Sequence, residues 1–182
     1  MRCLYCHNPD TWHLEDGQEM SAEEILSRME RNRSFYRTGG ITATGGEPML
    51  QIDFLTELFA WAKERGIHTC LDTSGIMFPG GGGTSEEERE RLKKVDLLLS
   101  VTDLVMLDLK EIDEEKHKEL TGYTNQNILE MAKFLSDNGT DMWIRHVLVP
   151  GLTDDPEGLK RTREFIDSLK TVKRVEVLPY HT

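Results

Sequence analysis

Cys3 and Cys6 stand two residues apart at the head of the chain, within MRCLYCHN. Paired thiolates at this spacing suit zinc, an iron–sulfur cluster, or thioredoxin-type exchange. A zinc ribbon needs a second such pair, and the chain has one other cysteine, Cys70. Thioredoxin chemistry needs a strand ahead of the pair, and the sequence shows none there. The blander reading is two surface thiols in a terminal segment. Cys70 falls inside an apolar run and reads as a small buried hydrophobe.

A second chemical feature is TGGEP at 44–48. Successive glycines after a strand let backbone approach a ligand, and Glu47 can accept from an amine. An ordinary strand–helix turn has the same composition. His7 and His181 are notable by position, whereas His13, His68, His117 and His146 read as surface or packing residues. No HxH or HExxH spacing occurs. A metal-hydrolase set of Asp72, Asp108 and His181 is a weaker alternative.

These residues need a frame, and the hydrophobic pattern supplies one. Residues 21–37 carry a helical pattern that starts at a capping box, Ser21 with Glu24. Residues 39–48 read as a short strand and glycine turn. Residues 51–66 read as an amphipathic helix with Phe54, Leu55, Leu58, Phe59 and Ala62 on one face and Gly66 at its end. Residues 67–75 are a strand and turn, and 79–94 a glycine loop leading into a solvated helix. Residues 104–110 are a buried strand, 127–139 a helix and 141–151 a strand. Residues 154–170 are a helix with Pro156 in its first turn, and 172–182 a final strand.

Five strands alternating with helices predict an α/β fold with a parallel sheet, wound either as an open doubly wound sheet or as a barrel. The strand ends favour the barrel. They carry Gly45-Gly46-Glu47, Asp72-Thr73, Asp108 with Lys110, Arg145 with Val147, and His181. In parallel β/α folds the carboxyl ends of the strands hold the site. Period-2 alternation puts Cys70 with Asp72, Met106 with Asp108 and Lys110, and Arg145 with Val147 on shared faces.

At 182 residues the chain reads as one domain, and no apolar run approaches a membrane span. A net charge of −11 argues against nucleic acid as the main partner, because no basic excess exists to neutralise phosphates. A low, odd cysteine count with no export signal predicts a reducing, cytoplasmic setting rather than a disulfide framework.

Taken together, MRCLYCHNPDTW (1–12), GGITATGGEPMLQ (39–51), GIHTCLDTSG (66–75), VTDLVMLDLK (101–110), WIRHVLVPG (143–151) and VEVLPYH (175–181) resemble the radical S-adenosylmethionine enzymes. Within them, the likeness is to the activases that install a glycyl radical on pyruvate formate-lyase under anaerobic conditions. The resemblance implies a partial parallel (β/α)6-type barrel. It implies a [4Fe–4S] cluster with Cys3 and Cys6 as two of its ligands, and S-adenosylmethionine as cosubstrate. Tyr5 and His7 lie where the family's loop approaches the adenine. Gly45, Gly46 and Glu47 match the segment that binds the methionyl amine. Asp72, Asp108, Lys110, Arg145, Val147 and His181 match further cofactor contacts. Asp72, Thr73, Met106 and Asp108 match a monovalent-cation site. The resemblance assigns no catalytic side chain beyond these contacts. A flavodoxin-type reductant is a further implication.

The family spaces three cysteines as CxxxCxxC, so its first would fall four positions before Cys3. On that reading residues 1–182 are one core domain without its first strand, its first cluster cysteine and a C-terminal segment. Two alternatives stand beside the activase: an inactive fragment or binding remnant, and a radical enzyme acting on a small molecule.

Overall fold

A computed structural model of the protein describes residues 3–6, 9–12, 17–36, 39–80 and 85–180. Five strands form one parallel sheet: β1 Gly40–Ala43, β2 His68–Thr73, β3 Leu104–Asp108, β4 Met142–Leu148 and β5 Val172–Pro179. They lie in the order β1-β2-β3-β4-β5, each hydrogen-bonded to the next in sequence. A doubly wound sheet reverses its order partway; a strictly sequential order is the winding of a barrel. With β1 and β5 as its two ends, the sheet is a partial barrel.

The strands obey the alternation that the sequence predicted, and the two faces differ in kind. Leu71 on β2, Val105 and Leu107 on β3, and Met142 and Ile144 on β4 are fully buried. They pack with Leu58 and Phe59 of α2 (Ile52–Glu64), Leu98 of α3 (Glu86–Ser100) and Met131 and Leu135 of α5 (Gln126–Asp137). The core therefore lies between the sheet and its helices. Residues of the opposite phase, Asp72, Asp108 and Arg145, face away from that core and stay partly accessible. The register sets Asp72 beside Met106 and Asp108 beside Arg145 on the face away from the core.

Local signals explain most element ends. The Ser21–Glu24 capping box opens α1 (Ala22–Arg31). Expected to run to residue 37, α1 stops at Arg31, because the Asn32 amide donates to the Arg28 carbonyl at 3.0 Å and its N–H bonds back to Met29 at 2.8 Å. Gly66 ends α2: its N–H reaches the Lys63 carbonyl, and that of Ile67 the Ala62 carbonyl, both at 2.9 Å. The solvated helix expected up to residue 94 continues to Ser100 as α3, because Val95 and Leu98 are buried.

One helix, α4 (Glu114–Thr121), escaped the sequence reading. Its eight residues are mostly charged and carry too little apolar periodicity to read. Its ends are nonetheless marked: Asp113 accepts from the Lys116 N–H, and Gly122, at φ 83°, closes it in a conformation side chains resist. α6 (Pro156–Asp167) is capped by Asp155 and begins at Pro156.

Candidate active site

The carboxyl ends of β2, β3 and β4 and the turn after β1 open on a cavity of about 310 Å³, within the size range of small-ligand sites. The short N-terminal loop closes one side, so Cys3, Tyr5 and Cys6 join its wall. A tight turn, Cys6 N–H to Cys3 carbonyl at 3.2 Å, brings the two cysteines together. The Leu4 N–H donates to the Leu120 carbonyl of α4 at 3.1 Å, which moors the loop. Tyr5 adds an apolar anchor by packing on Leu120, Val147 and Val149. The helix that the sequence reading missed is thus the one that seats the thiols. Burial pushes the Cys3 thiol up, and Lys110 partly offsets this.

An ion-pair network lines the same cavity. Arg145 of β4 donates through Nη2 to Asp72 of β2, and to Asp108 of β3 at 2.9 Å. Its Nε also reaches Asp108, at 3.1 Å. Lys110 Nζ donates to the other Asp108 oxygen at 2.9 Å, and Thr44 Oγ1 to the other Asp72 oxygen at 2.8 Å. Burial pushes the Asp72 carboxyl above its ordinary range, more than Arg145 and Thr44 pull it down. Burial would lower Lys110, but Asp108, Tyr5 and Cys3 outweigh it and raise the ammonium above the usual lysine range. Arg145 is likewise raised, its desolvation outweighed by Asp108 and Asp72. These groups can meet a zwitterion: cations for its carboxylate, carboxylates for its amine.

The glycine turn forms the floor between these walls. Gly45 adopts φ 130°, which favours glycine, and a Cβ on Gly46 would stand 3.3 Å from the Thr11 hydroxyl. Backbone is therefore exposed to whatever fills the cavity. Glu47 is different. It is 9% exposed and does not line the cavity. One carboxylate oxygen accepts from Met49 N–H at 3.1 Å and Thr73 Oγ1 at 2.7 Å. The other accepts from Ser74 N–H at 3.1 Å and from the Ser74 hydroxyl. Four donors fill a carboxylate. Here Glu47 ties the turn after β1 to the end of β2.

Of the residues singled out from sequence, Cys3, Tyr5, Cys6, Gly45 and Gly46 meet at this cavity, as do Asp72, Thr73, Asp108, Lys110, Arg145 and Val147. Met106 sits in register beside Asp72 but not on the wall. His7 and His181 lie outside the described residues, as does most of the glycine loop, residues 81–84. Sequence reasoning passed over Thr11, Thr44, Ser74 and Leu178, which also line the cavity. Alternation through β1 could have found Thr44, and pairing of Val147 with Leu178 follows only from the register.

Cys3 and Cys6 fit two ligands of an iron–sulfur cluster. Cys70 is 6% exposed within β2, off the cavity wall, so among the described residues no third thiol reaches the pair. Arg145 lies between Asp72 and Asp108 and is ion-paired to both.

Comparison with known proteins agrees with this geometry. The chain is 49% identical over 185 residues to a pyruvate formate-lyase-activating enzyme of Streptococcus mutans, covering 100% of this chain and 68% of that one. A crystallised domain of a pyruvate-formate lyase-activating enzyme from Bacteroides vulgatus superposes with a TM-score of 0.66 at 28% identity, over 79% of this chain and 81% of that one. Streptococcus suis SuiB bound to S-adenosylmethionine shares the fold with a TM-score of 0.70 at 19% identity, over 99% of this chain and 39% of that one. The model of the Radical SAM superfamily matches residues 1–166, which include both thiols and every strand end named above except that of β5, and the chain belongs to that superfamily.

Proposed function

We propose that this chain is the core domain, residues 1–182, of an activating enzyme that installs a glycyl radical on pyruvate formate-lyase. The observation that carries the reading is the opening of Cys3 and Cys6 onto the same cavity as Asp72, Asp108, Lys110 and Arg145. Thiolates and a zwitterion-binding set are the two halves that S-adenosylmethionine cleavage needs. The kinship with activating enzymes selects among radical reactions.

Each residue has a task in this reading. Cys3 and Cys6 would be two ligands of a [4Fe–4S] cluster. Lys110 and Arg145 take the carboxylate of S-adenosylmethionine, and the Gly45–Gly46 turn, held in place by Glu47, takes its amine. Tyr5, Val147 and Leu178 supply apolar contact for the adenosyl group, with His7 and His181 as further contacts. Asp72, Thr73, Met106 and Asp108 serve a monovalent cation. The chemistry the cluster supplies when bound is one-electron cleavage of the sulfonium to a 5′-deoxyadenosyl radical, which takes a hydrogen atom from the partner's glycine. The electron comes from a flavodoxin-type protein in the cytoplasm. No helix of the described residues is long and apolar enough to cross a membrane.

The test is anaerobic loading with iron and sulfide, then electron paramagnetic resonance of the reduced chain with S-adenosylmethionine, and then with pyruvate formate-lyase added. A cluster signal that shifts on adding the cosubstrate, followed by a glycyl-radical signal on the partner, is expected. A chain that binds S-adenosylmethionine but yields no radical is a binding remnant. One that binds neither iron nor cosubstrate overturns the reading altogether.

A further inference from the structure

Arg145 has a third carboxylate beside it. Its register partner on β5 is Glu176. Paired residues of neighbouring strands share a face and lie about 4.8 Å apart along the hydrogen-bonding direction, so Glu176 stands within reach of the guanidinium. Glu176 is nevertheless committed elsewhere. It pairs at 2.9 Å with Arg174, two residues back on the same strand and therefore on the same face. Its side chain is 23% exposed, too little for water to serve as its partner. Arg174 is itself held. Its guanidinium carbon lies 4.9 Å from the ring centre of Trp143, its register partner on β4. Three cations, Lys110, Arg145 and Arg174, thus meet three carboxylates, Asp72, Asp108 and Glu176. Removing one cation leaves a carboxylate over.

We propose that Arg174 is a positioning residue for Arg145: stacked on Trp143, it occupies Glu176 and so keeps the Arg145 guanidinium directed at β2, β3 and an incoming ligand carboxylate. The ligand's identity, S-adenosylmethionine, rests on the reading above; the positioning rests on the ion pairs. Without Arg174, Glu176 is a partly buried charge with no partner, which is costly, and Arg145 is the cation beside it in register. Glu176 then draws the guanidinium toward β5. Arg145 has a fixed fork of donors, and Nε and Nη2 are spent on Asp108 and Asp72. A fork turned toward β5 no longer presents the geometry that a bidentate carboxylate needs. Trp143 has the supporting part. The Arg174 side chain is 57% exposed, and the aromatic face gives an otherwise mobile cation a fixed seat next to Glu176.

The test follows two signals on the full chain, with a melting curve for each variant. The first, read by NMR without ligand, is the coupling across the hydrogen bond from Arg145 Nε to the Asp108 carboxylate. The second is the affinity for S-adenosylmethionine, read by calorimetry. Arg174→Gln is expected to lose most of the coupling and to bind S-adenosylmethionine about ten-fold more weakly. Arg174→Met, which keeps an unbranched stem over Trp143, should do the same, because the charge is what occupies Glu176. Arg174→Lys keeps the charge and should stay within about two-fold of wild type. The deciding protein combines Arg174→Gln with Glu176→Gln. With the carboxylate gone as well, coupling and affinity should both return close to wild type, a rescue that a merely structural role for Arg174 does not give. A double variant as impaired as Arg174→Gln alone overturns the proposal. So does a folded Arg174→Gln in which both signals match wild type. If Arg174→Gln does not fold, Arg174→Met, alone and with Glu176→Gln, decides in the same way. A chain that binds no S-adenosylmethionine sinks the functional reading instead, and the ligand-free coupling still decides the positioning.

Discussion

Tyr5 and Glu47 show how differently two buried polar residues can be treated by one site. The Tyr5 hydroxyl is buried with no hydrogen-bond partner among the described residues, and Lys110 lies 5.9 Å from its ring centre. Burial, only partly countered by Lys110, pushes its ionisation up to about 12. Tyr5→Phe should therefore raise stability by about 1 kcal/mol in urea unfolding, since it removes an unsatisfied group. The sign of the pH effect follows. The fold favours the neutral phenol, so that preference is fully present below pH 10.0, the ordinary value, and is lost as pH rises through about 12. The gap between Tyr5→Phe and wild type should widen over that interval, and the variant should lack the last phenolate step in an absorbance titration. Glu47 is the opposite case. With both oxygens saturated by Met49, Thr73 and Ser74, Glu47→Gln turns amide hydrogens toward existing donors. It should cost about 3 kcal/mol in the same unfolding measurement. A loss below about 1 kcal/mol would mean that the clamp is not structural.

Among the elements, β1 and α4 are short and position more than their length suggests. β1 spans only Gly40–Ala43, yet it delivers Thr44, Gly45 and Gly46 to the cavity. Its start lies so close to β2 that a Cβ on Gly40 would stand 2.0 Å from the His68 carbonyl oxygen. Gly40→Ala must therefore part the two strands. The expected cost is about 3 kcal/mol, with faster amide exchange along β1, read by thermal melting and hydrogen exchange. Unchanged protection at Ile41 and Ala43 would count against this. α4 acts through its Leu120 carbonyl, which receives the Leu4 N–H. Leu120→Gly should loosen the thiol loop by removing the side chain that Tyr5 packs against. Faster alkylation of Cys3, 9% exposed in the native chain, would report it.

For the whole molecule, the ends of the sheet matter. β5 pairs with β4 on one side only, and Val175 and Val177 are 47% and 56% exposed. An open edge with apolar side chains invites pairing with a second chain. The 182-residue protein should self-associate as its concentration rises in sedimentation velocity, despite a net charge of −11 that opposes contact. Val177→Lys should shift it toward the monomer by adding charge at the edge. Equal association by both proteins would place the contact elsewhere.

By itself the sequence determined the class of fold and named most of the described residues that meet at the cavity. Apolar alternation in 67–75, 104–110 and 141–151 is a local property, and it revealed both the parallel strands and which side chains share a face. That alternation, with a family likeness spread through the whole chain, was enough to bring Cys3, Asp72, Asp108, Lys110 and Arg145 onto one list. The sequence was also sufficient for caps, because Ser21 with Glu24, and Gly66, act within a few residues of themselves. Only the tertiary structure decided what these groups do to one another. Nothing in the order of residues says that Glu47 spends its carboxylate on Ser74, 27 positions away, or that Arg145 stands between Asp72 and Asp108, 73 and 37 positions away. Register, burial and the depth of the strand ends set those pairings, and they arise only when the strands are brought side by side. For the same reason α4 went unread: its charged sequence carries little apolar pattern, and its importance lies in a loop that packs on it from the far end of the chain.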